Sequence, residues 1–508
     1  MKRSIYTTVS AIALLAATSA IAQNNSSTVD QGGSANTAVV GQSGSDAVST
    51  VEQSGNNSSA TVDQGGSGNA SDVLQTGDDN LAGVTQDGTD NSSDLDQSGD
   101  DNSADVSQDG INNGSDVAQS GNGNSAGVTQ NGTDNLSLVD QSGSDDEAIV
   151  NQDGTGHDST VLQSGGSGNS ANVNQEGTNQ TSTVTQSAST ATAIVDQSGA
   201  DQTSTILQQD DAGGYANVNQ SGASNTSSVE QTSVNSYATV DQSGTDNQST
   251  LTQGRSNGND FQTNGQQANI NQSGNSNVSN ASQSGSSGDL NVDQSGNNNL
   301  SNVSQSGFDN SAGDNIGLVG IDQSGNDNDA MVTQSGQLSD AYVDQIGSNN
   351  TATIAQSVSN APNPVGGTDP RVASASISQG GDDNSSTINQ YGGSGTVSAR
   401  LMSASSSQEG SNNTSLINQT NSLIAGASSE NFASASQDGD FNDSDIFQNG
   451  ADNSATLSQV GSDNLSDISQ TGSGHTADVS QYSDSNTSTV TQTGTGNSAT
   501  VTQGSNPL

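Results

Sequence analysis

QSGDDNSADVSQ, residues 97–108, is the stretch whose reading decides the fold. Counted from Gln97, Gly follows at two, Asn at five, Ala at seven and Val at nine, and Gln returns at eleven. QSGNGNSAGVTQ (119–130) and QTGTGNSATVTQ (492–503) keep the pattern. In an extended strand alternate side chains share a face. Asn, Ala, Val and Gln sit at odd offsets and all point one way. Ser, Thr, Asp and Gly at even offsets face water. A helix does not keep an alternating set on one face. The Gly sits where the chain must turn, because it tolerates φ > 0.

The pattern repeats along the chain. Gln31, Gln42, Gln53, Gln64, Gln75, Gln86, Gln97, Gln108, Gln119, Gln130, Gln141, Gln152 and Gln163 recur at every eleventh position. To Gln503 there are 40 such positions, and 32 of the 39 intervals keep that spacing, which marks stacked near-identical units. Two features double the period. The residue after Gln alternates: Asp87, Ser98, Asp109, Ser120, Asn131, Ser142, Asp153, Ser164, Glu176, Ser187. The irregular intervals start at Gln163, Gln208, Gln253, Gln305, Gln356, Gln390 and Gln419, always an odd-numbered interval. Insertions therefore fall on one edge of a two-sided rung.

The expected fold is all-β: a β-solenoid, an amyloid-like cross-β stack of about 20 strand–turn–strand rungs, each two units long. Stacked Val columns then contribute up to roughly 1.5–3 kcal/mol per fully buried side chain. The Gln columns, and an Asn column including Asn91, Asn102, Asn113, Asn124 and Asn135, are expected to form amide ladders along the axis. The longest insertion, after Gln356, carries Pro362, Pro364 and Pro370, which suits a loop leaving the ladder.

Composition alone points elsewhere. Hydrophobic residues are 26%, aromatics 2%, and the net charge is −50, values typical of a disordered polyanion. Disorder needs no fixed period, and this chain has one. Lys2 and Arg3 precede an apolar run, Ile12 to Ala17, and Ala20-Ile21-Ala22 precedes Gln23; residues 1–22 read as a secretory signal peptide. No later run reaches the length of a membrane span. The remaining three basic residues, Arg255, Arg371 and Arg400, face 55 acidic ones, a net charge of −52. Such a surface repels nucleic acid and anionic lipid. The organisation expected is a signal peptide (1–22), regular repeats (23–252), repeats with long one-sided insertions (253–440) and regular repeats without a recognisable cap (441–508).

The pattern Q-x-G-x-x-N-x-A-x-V-x-Q closely resembles the curlin repeat, over about Gln23 to Gln503. Curlins are the subunits of curli, extracellular amyloid fibres of bacterial biofilms. The resemblance implies a β-solenoid with Ser, Gln, Asn and Ala inward, secretion across the outer membrane, and self-assembly into adhesive fibres. Expected partners are further copies, related curlin subunits and an outer-membrane secretion apparatus, with no nucleic acid and no membrane insertion. This chain has far more repeats than curlin subunits do. It also lacks their Gly-rich export segment, since Asn25, Ser27 and Val29 already fit the repeat.

Catalytic chemistry finds no support in the sequence. His157 and His475 simply occupy the Asn column, and no Ser-His-Asp set stands out from the lattice. No cofactor is expected, calcium excepted. Asp78-Asp79 and Asp100-Asp101 are two units apart and would stack, while Asp87, Asp109, Asp153 and Glu176 would line a column on the other edge. Oxygen clusters of this kind suit Ca²⁺, and a solvated acidic edge is the alternative. Two functions follow. One is a fibre subunit growing by strand stacking at uncapped ends, for biofilm matrix and surface adhesion. The other is a monomeric cell-surface or secreted adhesin that binds through its loop-bearing edge.

Overall fold

The computed structural model describes residues 24–209, 212–254, 265–286, 288–308, 311–312, 320–337, 339–358, 373–392, 400–421 and 429–504. Residues 1–22, read above as a signal peptide, and the three prolines of the longest insertion lie outside them. The described chain is all-β and parallel, a solenoid of about 19 turns spaced about 22 residues apart. It divides into two compact units, Met1–Val234 and Asn235–Leu508.

In the first unit, strands from Ser26–Gln31 to Thr226–Gln231 form one parallel sheet. Strands from Thr37–Gln42 to Tyr215–Ala223 form a second. Each strand pairs with the strand one rung away, so like residues meet: Gln97 opposite Gln119, Val106 opposite Val128. The core lies between the sheets. Val51, Val73, Leu95 and Val117 on one side and Val62, Val84, Val106 and Val128 on the other are at most 1% exposed. A second inward column pairs small residues, Ser93 and Ser115 from the first sheet with Ala104 and Ala126 from the second, all buried. Small residues there let the two sheets approach closely.

The second unit repeats this arrangement, with strands Gln248–Gly254 to Thr487–Thr495 in the first sheet and Tyr237–Thr245 to Ser498–Gly504 in the second. Insertions do not disturb register. Gln345 still sits opposite Gln379, and Gln356 opposite Gln390, despite the longer chain between them. All seven insertions follow strands of the first sheet, such as Asp158–Gln163, Thr203–Gln208 and Thr351–Val358.

The turns are made differently from the simple expectation of a positive-φ Gly. At one edge Gly110 does have φ 130°, but at the other edge Gly99 is not left-handed. Gly99 is needed for space, since a Cβ there would lie 1.8 Å from the carbonyl oxygen of Gly121 in the next rung. The left-handed position of both turns is instead two residues later, at Asp79, Asp101, Asn112 and Asp134, with φ of 58–59°. Asp and Asn tolerate that conformation better than other side chains.

Candidate functional site: amide columns, acidic columns and rung ends

The Gln side chains do more than stack. Gln108 Nε2 donates to Gln130 Oε1 at 2.8 Å, and Gln130 Nε2 to Gln152 Oε1 at 2.8 Å. The same nitrogen also donates within the rung: Gln108 to the Ser92 carbonyl at 2.8 Å, and Gln130 to the Gly114 carbonyl at 2.8 Å. Ser92 and Gly114 begin the preceding strands, in the opposite sheet. Each buried Gln thus joins rung to rung and sheet to sheet. The backbone carbonyl also fixes which end of the amide is nitrogen, because only N–H can donate to it. Gln31, Gln53, Gln75, Gln97, Gln119, Gln141 and Gln163 form one such column, and Gln42, Gln64, Gln86, Gln108, Gln130 and Gln152 the other.

The Asn column is built differently. Asn91, Asn102, Asn113, Asn124 and Asn135 do not bond amide to amide. Asn91 Oδ1 accepts from the backbone N–H of Asn113, and Asn113 Oδ1 from that of Asn135, at 3.0 and 3.1 Å. Their Nδ2 groups donate to glycine carbonyls of the next turn, Asn102 to Gly121 at 2.8 Å and Asn124 to Gly143 at 3.2 Å. The shorter side chain sits at the strand's start, where the turn backbone offers both partners. Direct Asn–Asn bonds occur late in the chain, as at Asn442 to Asn413 and Asn464 to Asn442.

At three of these positions a titratable residue replaces Asn. His157 accepts from the Gln180 N–H through Nδ1 at 3.4 Å and donates through Nε2 to the Asp153 carbonyl at 3.2 Å. Burial holds its pKa below the usual imidazole range. His475 makes the equivalent pair with Asn497 and Thr471. Asp146 is the third, and the repeat pattern alone gave it no notice. It is 1% exposed; Oδ1 accepts from the Asn169 N–H at 2.8 Å, while Oδ2 has no partner among the described residues. Its Asn counterparts donate to carbonyls from that position. Burial pushes its pKa up, the bonds from Asn169 pull it down, and Asp145 adds to the rise.

The acidic residues fall into columns as well. Asp78 Oδ1 accepts from the backbone and side chain of Asn56 at 2.7 and 2.9 Å, and Asp100 Oδ1 from the Asp78 N–H at 2.9 Å. Asp79 and Asp101 take the left-handed turn position. Asp87 and Asp109 are in register and exposed, as are Asp153 and Glu176 further along. Among the described residues no group of three or more His, Cys, Asp or Glu is placed to hold a metal ion. On the outward face of the first sheet, Asp72, Asp94 and Asp116 stack at successive rungs. Burial first, then neighbouring carboxylates, raise Asp72, Asp96 and Asp116 above the usual carboxylate range.

The outermost rungs differ from the rest. Among the described residues Ser26–Gln31 pairs only with Val48–Gln53. Its inward Val29 is 42% exposed, whereas Val51, one rung in, is fully buried. Ser498–Gly504 pairs only with Thr476–Tyr482, and its inward Val501 is half-buried.

A stack closed at every rung by glutamine, with like residues in every column, defines a structural repeat protein rather than a scaffold around a pocket. The Curlin associated repeat matches it at residues 22–55, 55–88, 77–110, 88–121, 110–143, 143–177, 296–336, 325–357, 429–461, 450–482 and 476–504. These matches together cover more than half of the chain, which belongs to the curlin-repeat family. No curated protein matches it.

Proposed function

We propose that this chain is a structural subunit of curli-like extracellular fibres, secreted to the cell surface and serving biofilm matrix and adhesion. In this reading it grows by end-to-end stacking of strands on further copies or related curlin subunits, with no catalytic role. The family membership supports the fibre class. The exposure of Val29 against the burial of Val51 carries the growth step. A strand docked on Ser26–Gln31 would cover Val29, supply donors and acceptors to a parallel edge that pairs with no second strand among the described residues, and extend the Gln column. An open edge of this kind is a ready template for pairing.

The high negative charge opposes stacking, so assembly should need salt or a screening cation; calcium would act along the acidic columns in that capacity. The test is assembly of the chain from Gln23 onward in low salt, high salt, calcium and chelator. Dye-binding fibres with a reflection at about 4.7–4.8 Å and seeding by preformed ends are expected. A monomer under every condition would exclude the fibre reading and favour the loop-bearing adhesin.

A further inference from the structure

The outward face of the first sheet changes character between the units. In the first unit it carries the Asp72, Asp94 and Asp116 stack, with Asp96 and Asp140 beside it. In the second unit the two central columns hold no acidic residue over seven rungs. One column runs from Thr250 through Asn280, Asn302 and Met331 to Leu416; the other runs from Thr252 to Asn418. Acid returns at Asp445. The bordering column holds one carboxylate in this stretch, Asp329.

This uncharged face is open, with every residue of the two columns exposed or half-buried. Its amides are partly satisfied within the sheet. Asn280 Nδ2 donates to Asn302 Oδ1 at 3.0 Å, and Asn389 Nδ2 to Asn418 Oδ1 at 2.8 Å. Covering the face therefore strands fewer polar groups than covering free amides would. A shallow trough of about 360 Å³ crosses the strands from Gln248–Gly254 to Asp329–Gln337, with Met331, 45% exposed, along its side.

We propose that this face is a lateral contact between two copies of the chain. A second copy is the occupant that the charge favours. Two copies meeting through the acidic columns would bring many carboxylates within a few ångströms of like charges, whereas this face brings only Asp329, at its border, from each copy. Seven rungs at about 4.8 Å and five residues of strand give roughly 500 Å² per copy, so about 1,000 Å² in all. That is about the lower size of a specific interface. In a two-fold arrangement over all seven rungs each Met331, on the fourth, faces the same rung of the other copy at the end of its trough, and the same patch serves both sides. The two sheets then interdigitate face to face. The contact is sideways and does not rest on stacking at the ends.

The test compares the full chain with Asn302→Asp/Thr353→Asp, which places four new carboxylates across the paired face. Ser374→Asp/Ser403→Asp, at exposed positions of the opposite sheet, is the control. Sedimentation equilibrium reads the mass and electron microscopy reads filament width. The wild type and the control are expected to pair, with doubled mass or doubled width. The face variant is expected to pair at least a hundredfold more weakly. The proposal is overturned by a wild type that stays single at all salt concentrations. It is also overturned by pairing that survives in the face variant, or that is lost equally in the control. Wild-type retention on an insoluble polysaccharide, abolished by the face variant and without pairing, would assign the face to a glycan instead. Pairs without fibres would leave this contact standing and remove end-to-end growth; unpaired fibres would do the reverse.

Discussion

Replacing Gln130 by Glu changes one atom at the centre of the network. Gln130 is fully buried. Its Nε2 donates to Gln152 Oε1 at 2.8 Å, to the Gly114 carbonyl at 2.8 Å and to the Asn135 carbonyl at 3.2 Å. Its Oε1 accepts from Gln108 Nε2 at 2.8 Å. In Gln130→Glu an oxygen replaces that nitrogen and faces three acceptors. An ionised carboxylate there keeps one donor, a situation that costs about 3–5 kcal/mol. At about 1.4 kcal/mol per pKa unit, the folded-state pKa of the new Glu rises by roughly three units above about 4.3. The penalty is therefore absent below the unfolded pKa and grows as pH rises through the raised folded value. Repeat arrays open locally, so the assay is hydrogen exchange by mass spectrometry, corrected for intrinsic rates. At pH 7.5 protection in Ser103–Ile111, Ser125–Thr133 and Glu147–Thr155 should fall by about a thousandfold, and at pH 4 most of it should return. Thr203–Gln208, several rungs away, should be unaffected. Undiminished protection at pH 7.5, or a loss that persists in acid, would refute the view that these amides are satisfied at both ends.

Four further substitutions test other columns. Asp146→Asn restores the missing donor and should stabilise the first unit by about 1–3 kcal/mol at pH 8 in urea unfolding. Because burial raises the Asp146 pKa, the wild-type penalty vanishes in acid and the gain should shrink there. His157, with its pKa lowered by burial, contributes stability above its unfolded pKa that is lost as pH falls through its folded value. His157→Asn should flatten that acid limb in melts between pH 7.5 and 5. Phe441 occupies the left-handed turn position at φ 56° and is exposed, where the adjacent rungs have Asn412 and Asp463. Phe441→Asn should gain about 1 kcal/mol, seen as a higher unfolding midpoint. Ser115 is buried and its hydroxyl has no partner among the described residues. Ser115→Ala should be neutral or stabilising by up to about 1 kcal/mol in the same assay.

The solenoid was legible because its signal is repetition. Gln97, Asn102, Ala104 and Val106 share a face by their spacing alone, and the one-sided insertions mark the two edges. The partners of the Asn column were not legible, because spacing says which side chains stack but not what the turn backbone presents to them. Asn113 reaches the backbone N–H of Asn135 and the Gly132 carbonyl, whereas Gln130, one methylene longer, reaches another amide. The turn conformation was hidden for a similar reason. Gly is the conspicuous residue, yet Asp101 and Asn112 take the left-handed position. Asp146 looks like one acid among many, and its distinction appears only once its neighbours are seen to be acceptors and backbone donors.

The glutamine bonds within each unit run one way, from the lower-numbered residue to the higher: Gln31 to Gln53 in the first, Gln448 to Gln470 in the second. Flipping a single amide is forbidden by the carbonyl that each nitrogen also serves. The columns are therefore arrows, and a stack of them has a head and a tail of different chemistry. In the first unit Gln31 gives its nitrogen to Gln53 and its oxygen accepts from no glutamine among the described residues; in the second, the nitrogens of Gln492 and Gln503 donate to the Thr476 and Thr487 carbonyls and to no further glutamine among them. Copies added in the same sense continue the arrow, while copies added in the opposite sense set oxygen against oxygen or nitrogen against nitrogen. A filament built this way is vectorial, like a track with a direction of travel. Its two tips should extend at different speeds, and a blocker fitted to one tip should leave the other growing.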